Sequence, residues 1–81
     1  MSDIPIVNRV RELRQQRGDM TQEDLAKLCS VTRQTIIAVE SGRYSPSLEL
    51  AFLLSHALDS GVEEVFEWRP KSRPANSKRA T

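Results

Sequence analysis

Two helix starts with almost nothing between them constrain this chain more than any other feature. In "TQEDLAKLCSVTRQTIIAVESG", Thr21 to Gly42, Thr21 precedes a polar turn with Asp24 three residues on. That is the pattern of a capping box, with Asp in place of the usual Glu. Leu25, Leu28 and Cys29 then share one face of a helix. Thr32 is a second N-cap, Ile36 and Val39 form a buried stripe, and Gly42 is a stop signal. About three or four residues part these two helices, the length of a tight helix-to-helix turn.

The rest of the chain is punctuated in the same way. "PIVNRVRELRQQRG" carries Ile6, Val10 and Leu13 at helical spacing and ends on Gly18, which predicts a first helix. Ser47 caps a fourth helix in "SLELAFLLSHALDS", and "GVEEVFEW" reads as a short fifth helix with an extended end. Strand signals are nearly absent. The expectation is an all-α domain of five helices over residues 1–68. The tail, 69–81, is polar, proline-bearing and basic, and it reads as disordered.

The net charge of +1 hides a strong asymmetry. Residues 1–43 hold seven basic and six acidic side chains, residues 44–68 hold five acids and no Lys or Arg, and residues 69–81 hold five basic residues and no acid. A polyanion would avoid the acidic back of such a domain. The third helix answers to that division. Arg33, Gln34 and Ile37 point away from the stripe of Ile36 and Val39, where a helix built only to bury that stripe would show Glu, Lys and Ala. A pair of helices joined by a tight turn is a helix-turn-helix, here about residues 21–41. The second helix of such a pair enters the DNA major groove with its first residues at base edges.

The markers "LR..RG", "TQEDLA", "VTRQTI..VE.G" and "Y.PSLELA", in order across residues 6–68, resemble the small regulators of the XRE type, the phage Cro and repressor class. The resemblance implies a lambda-repressor-like five-helix fold and a recognition helix at about Thr32–Ser41. It implies base contacts from Arg33, Gln34 and Ala38, with Ile37 beside them; for Arg33, a phosphate contact is an equal alternative. It implies phosphate contacts from Gln22, Thr35 and Arg43, with the Tyr44 loop beside the backbone and Thr21 and Thr32 at the two caps. Arg14 and Glu40 match a pair tying the first helix to the end of the third. Glutamine suits adenine, arginine suits guanine, and Ile37 with Ala38 suits a thymine methyl. Ser30 stands where the family places a turn glycine, and a left-handed serine there costs on the order of 1 kcal/mol. "RGDMTQ" is one residue longer than the common turn. Asp59 and Ser60 replace a glycine and an aliphatic, which points to a looser entry into the last helix.

Leu53, Val65, Phe66 and Trp68 look surplus to a small core and mark the expected homodimer surface. A single recognition helix reads too few base pairs, so the expected partner is a palindromic double-stranded operator bound by a homodimer. With one His and one Cys, no set of three or four metal ligands can be assembled from those residue types. Cys29 reads as a small core residue and His56 as a surface or interface residue. No cofactor and no catalysis are expected: the sequence has neither a nucleophile–base pair nor a phosphate-binding glycine loop. "MSDIPIVNRV" lacks a signal-peptide pattern and no apolar run has membrane-spanning length, so a cytoplasmic protein away from membranes is expected. Two other readings stay open. One is an interaction module such as the antitoxin of a toxin–antitoxin pair, with the basic tail gripping its partner; the other is a restriction-controller-like activator.

Overall fold

The computed structural model describes residues 5–70. The reading of 69–81 as a disordered tail therefore falls almost wholly outside the described residues. Five helices are present: α1 (Val10–Gln16), α2 (Gln22–Cys29), α3 (Arg33–Glu40), α4 (Leu48–Ala57) and α5 (Val62–Val65). They enclose one core, in which Leu25, Ile36, Leu54, Leu58, Val10, Val39 and Val65 are the largest fully buried side chains.

Two strands, β1 (Ile6–Asn8) and β2 (Phe66–Trp68), pair antiparallel with Ile6 opposite Trp68 and Asn8 opposite Phe66. Ile6 is thus a strand residue, and α1 begins four residues later than its apolar spacing implied. The physical reason lies in Asn8. Its side-chain oxygen accepts from the Val10 amide at 3.1 Å, and its amide nitrogen donates to the Val39 carbonyl at 2.9 Å. The ladder continues through Arg9 N–H to Val65 O (2.8 Å) and Arg69 N–H to Pro5 O (2.7 Å). These partners are remote in sequence, so periodicity along the chain cannot reveal them.

Two side chains also change place. In α2 the buried residues are Leu25, Ala26 and Cys29, while Leu28 is 59% exposed. The core stripe runs on the Ala26 side of the helix, because α3 and α4 pack there. Val65 is fully buried in the monomer core and is not available to a second copy. It is the C-terminal residue of a single-turn helix whose burial follows from docking against α4 and β2.

The three connections that depart from the family pattern close in distinct ways. Gly18 and Asp19 both take positive φ, 77° and 57°, and Met20 N–H returns to Arg14 O at 3.0 Å. Ser30 adopts φ 58°, ψ 41°, the left-handed conformation that glycine takes more readily. Asp59 (φ 54°) ends α4 in the same region of backbone space. That last connection is not loose. The Arg17 guanidinium donates to Leu58 O at 2.7 Å and to Asp59 O at 3.1 Å, tying α1 to carbonyls that α4 leaves without an intrahelical partner. No described buried side-chain nitrogen or oxygen lacks a hydrogen-bond partner.

Candidate nucleic-acid interface

α2 and α3 are each eight residues long and are joined by Ser30, Val31 and Thr32 alone. Each start is fixed by threonine. Thr21 Oγ1 accepts from the Asp24 amide at 2.9 Å while the Asp24 carboxylate accepts from Thr21 N–H at 3.2 Å. Hydrogen bonds to the carboxylate from the Thr21 backbone first and the Thr21 hydroxyl second hold the Asp24 carboxyl below its ordinary range, with Lys27 adding to them. Thr32 Oγ1 accepts from the Thr35 amide at 3.2 Å, and the two threonine hydroxyls share a further bond at 3.1 Å.

With its start fixed, α3 sorts its side chains. Ile36 and Val39 are buried, Arg33 and Gln34 are exposed, and Thr35, Ile37 and Ala38 are half-buried. Past its end, Ser41 Oγ donates to Ala38 O at 3.1 Å and accepts from Arg43 Nε at 3.2 Å, so Arg43 folds back beside the helix terminus. Tyr44 follows, exposed.

A buried ion pair sets the angle of this helix. Arg14 Nε meets Glu40 Oε2 at 2.6 Å, a second guanidinium nitrogen reaches Oε1 at 3.2 Å, and a third donates to Met20 O at 2.7 Å. The side chains are 11% and 8% exposed. Gln22 Nε2 also donates to Glu40 Oε1, at 3.0 Å. Gln22 therefore braces the C-terminal end of α3 with one amide hydrogen, and its carbonyl is left free. Three helices are clamped by one carboxylate, a bidentate geometry that only arginine supplies.

The surplus apolar residues do not form one patch. Phe66 and Trp68 line an open groove of about 450 Å³ together with Ile6, Pro46, Leu48 and Val62. Leu53, 37% exposed, faces a different hollow shared with Cys29, Thr35 and Tyr44. Sequence reasoning missed Leu48 and Phe52, both exposed on α4. It also missed Asn8 and Arg17 as braces; Asn8 two residues ahead of Val10 was a readable cap signal, whereas Arg17 gave none. His56 is exposed. Cys29 is buried, which pushes its thiol up from the ordinary range. Among the described residues no three His, Cys, Asp or Glu side chains gather as a metal site, and no helix is long and apolar enough to cross a membrane.

Two short capped helices, a three-residue turn and an outward Arg33–Gln34 pair are the anatomy of a helix-turn-helix. The helix-turn-helix family model HTH_3 matches residues 10–65, from the first turn of α1 to the end of α5. The chain belongs to the XRE-type helix-turn-helix family. It is 53% identical over 58 residues to an uncharacterized HTH-type transcriptional regulator of Methanothermobacter thermautotrophicus, covering 70% of this chain and 83% of that one. It is 52% identical over 48 residues to one from Methanocaldococcus jannaschii, covering 59% and 73%. Over 59 residues it is 46% identical to the HTH-type regulator YgzD of Bacillus subtilis, covering 73% and 88%. Within this XRE-type domain β1 and β2 flank the matched region on either side.

Proposed function

We propose that this protein is a sequence-specific, double-stranded DNA-binding transcriptional regulator without enzymatic activity, acting in the cytoplasm as a homodimer. The observation that carries the reading is the exposed first turn of α3, where Arg33 and Gln34 stand clear of the core on a helix held rigid by Thr32 and by the Arg14–Glu40 clamp. In this reading α3 lies in the major groove. Gln34 makes a bidentate pair with adenine, Arg33 meets a guanine edge or a phosphate, and Ile37 and Ala38 pack on a thymine methyl. Thr21, Gln22, Thr32, Thr35, Arg43 and Tyr44 flank the backbone on either side. The relatives' names as transcriptional regulators favour the same role.

The homodimer follows from what one domain can read. A two-fold pair sets two recognition helices about 34 Å apart, one turn of a palindromic operator. The groove at Leu48, Phe66 and Trp68 is the surface we assign to the second copy. It is apolar, and its acidic rim, Glu63 and Glu67, repels phosphate. Val65 has no part in it.

The test is binding-site selection from random duplex DNA at fixed salt with the wild type and Gln34→Ala. The expected result is an enriched palindrome whose half-sites relax at one position in the variant. Binding without any enrichment, at every salt concentration, would sink the reading.

A further inference from the structure

We propose that Arg11, on the exposed face of α1, is a backbone-phosphate contact of this DNA-binding surface. The inference rests on the reading just given and adds a residue from a third helix to it. A polar cleft of about 440 Å³ opens between α1 and the start of α2, with Arg11, Gln15, Asp19, Thr21, Glu23 and Arg33 among its walls. Arg14 also borders it, but its guanidinium is committed to Glu40 and to Met20 O. The ion pairs among the described residues are Arg14–Glu40 and Arg69–Glu67, so Arg11 and Arg33 bring uncommitted guanidinium groups to the cleft.

The position of the cleft names its occupant. Of α3 only Arg33 reaches it; Gln34, Ile37 and Ala38 are not in its walls. A group seated there lies beside the first turn of the recognition helix and off its base-reading face. When α3 is in the groove, that group is a phosphate of the flanking strand. Thr21 stands in the same wall, its hydroxyl engaged with Asp24 at the start of α2. Asp19 and Glu23 in the same walls lower the local field. Free phosphate is then attracted weakly, and the contact forms only when docking brings a phosphate within the short reach of a guanidinium fork. Arg11 therefore acts as a positioning contact that carries no sequence information of its own.

The experiment is a salt series of duplex binding by fluorescence anisotropy, on the selected site and on a random duplex. It compares the full-length wild type with Arg11→Ala, Arg11→Lys and Lys27→Ala. Lys27 is the control, an exposed α2 residue that borders a different hollow, with Arg17 and Leu28. Arg11→Ala should weaken both duplexes by the same factor, about three- to tenfold, and flatten the slope of log K against log salt by about 0.9. Arg11→Lys should keep the slope, and Lys27→Ala should change neither quantity. The proposal is overturned if Arg11→Ala behaves like Lys27→Ala. It is equally overturned if the slope stays and one base position relaxes, since Arg11 would then read sequence. A wild type that binds no duplex removes the DNA reading itself, a result distinct from both.

Discussion

The two halves of this domain treat their surfaces in opposite ways. α2 and α3 are short, and with their flanking residues they leave Thr21, Arg33, Gln34 and Arg43 outside beside one large exposed apolar side chain, Leu28. α4 with α5 and β2 leaves Leu48, Phe52, Leu53 and Trp68 exposed, and residues 44–68 contain no Lys or Arg. The first half is finished as a monomer surface meant for water and charge. The second half is an unfinished apolar surface with an acidic rim. The contrast teaches that one small core supports two faces of opposite chemistry, which is why we assign a polyanion to the front and propose a second copy for the back.

The largest expected effect falls on the clamp that keeps the front in shape. Glu40→Ala leaves Arg14 buried without its partner, and urea unfolding should show a loss of about 3 kcal/mol or more. That is a large fraction of what a domain this small has to lose. An unchanged midpoint would mean that the recognition helix is held by packing alone. Next comes Gln34→Ala, expected to remove about 1–3 kcal/mol of discrimination at one base pair while the melting curve stays put. Ser30→Gly works in the opposite direction. Relieving a left-handed serine should raise stability by roughly 1 kcal/mol, seen as a rise in Tm of several degrees.

At the back, Leu48→Ala with Trp68→Ala should barely alter the unfolding of the monomer, by less than about 1 kcal/mol, because both side chains are exposed. The solution mass by light scattering should fall to that of one chain. A mass that stays dimeric would move the interface elsewhere, with the Leu53 hollow as the next surface to test. The smallest effect concerns pH. The Asp24 carboxyl is held low in the folded state by Thr21, so its contribution is present above the ordinary carboxylate pKa, about 3.9, and is lost as pH falls through the lower folded value. Asp24→Asn should therefore flatten the acid limb of the stability profile slightly, and a profile identical to wild type would remove the capping box from the list of acid-sensitive contacts.

Much of the front was legible because its signals are local. Thr21 and Asp24, then Thr32, announce helix starts within four residues of themselves, and Ile36 with Val39 fixes which way α3 faces. The left-handed Ser30 was legible as well, through the resemblance, because it stands where the family places a turn glycine. These features depend on neighbours along the chain, so the sequence by itself determined the helix-turn-helix and the outward place of Arg33 and Gln34, whereas Ile37, expected outside, is half-buried.

The back and the edges depended on partners distant in sequence. Ile6 has helical spacing to Val10, yet Trp68, on the far side of the domain in sequence, turns it into a strand. Leu28 and Val65 show that an apolar side chain announces hydrophobicity and not burial: three helices packing together decide which face is inside. The Gln22 and Arg17 braces reach 18 and 41 residues along the chain, to Glu40 and to Leu58. Only the tertiary structure decided these, because a strand pairing or a buried face has an energy only once its partner is in place.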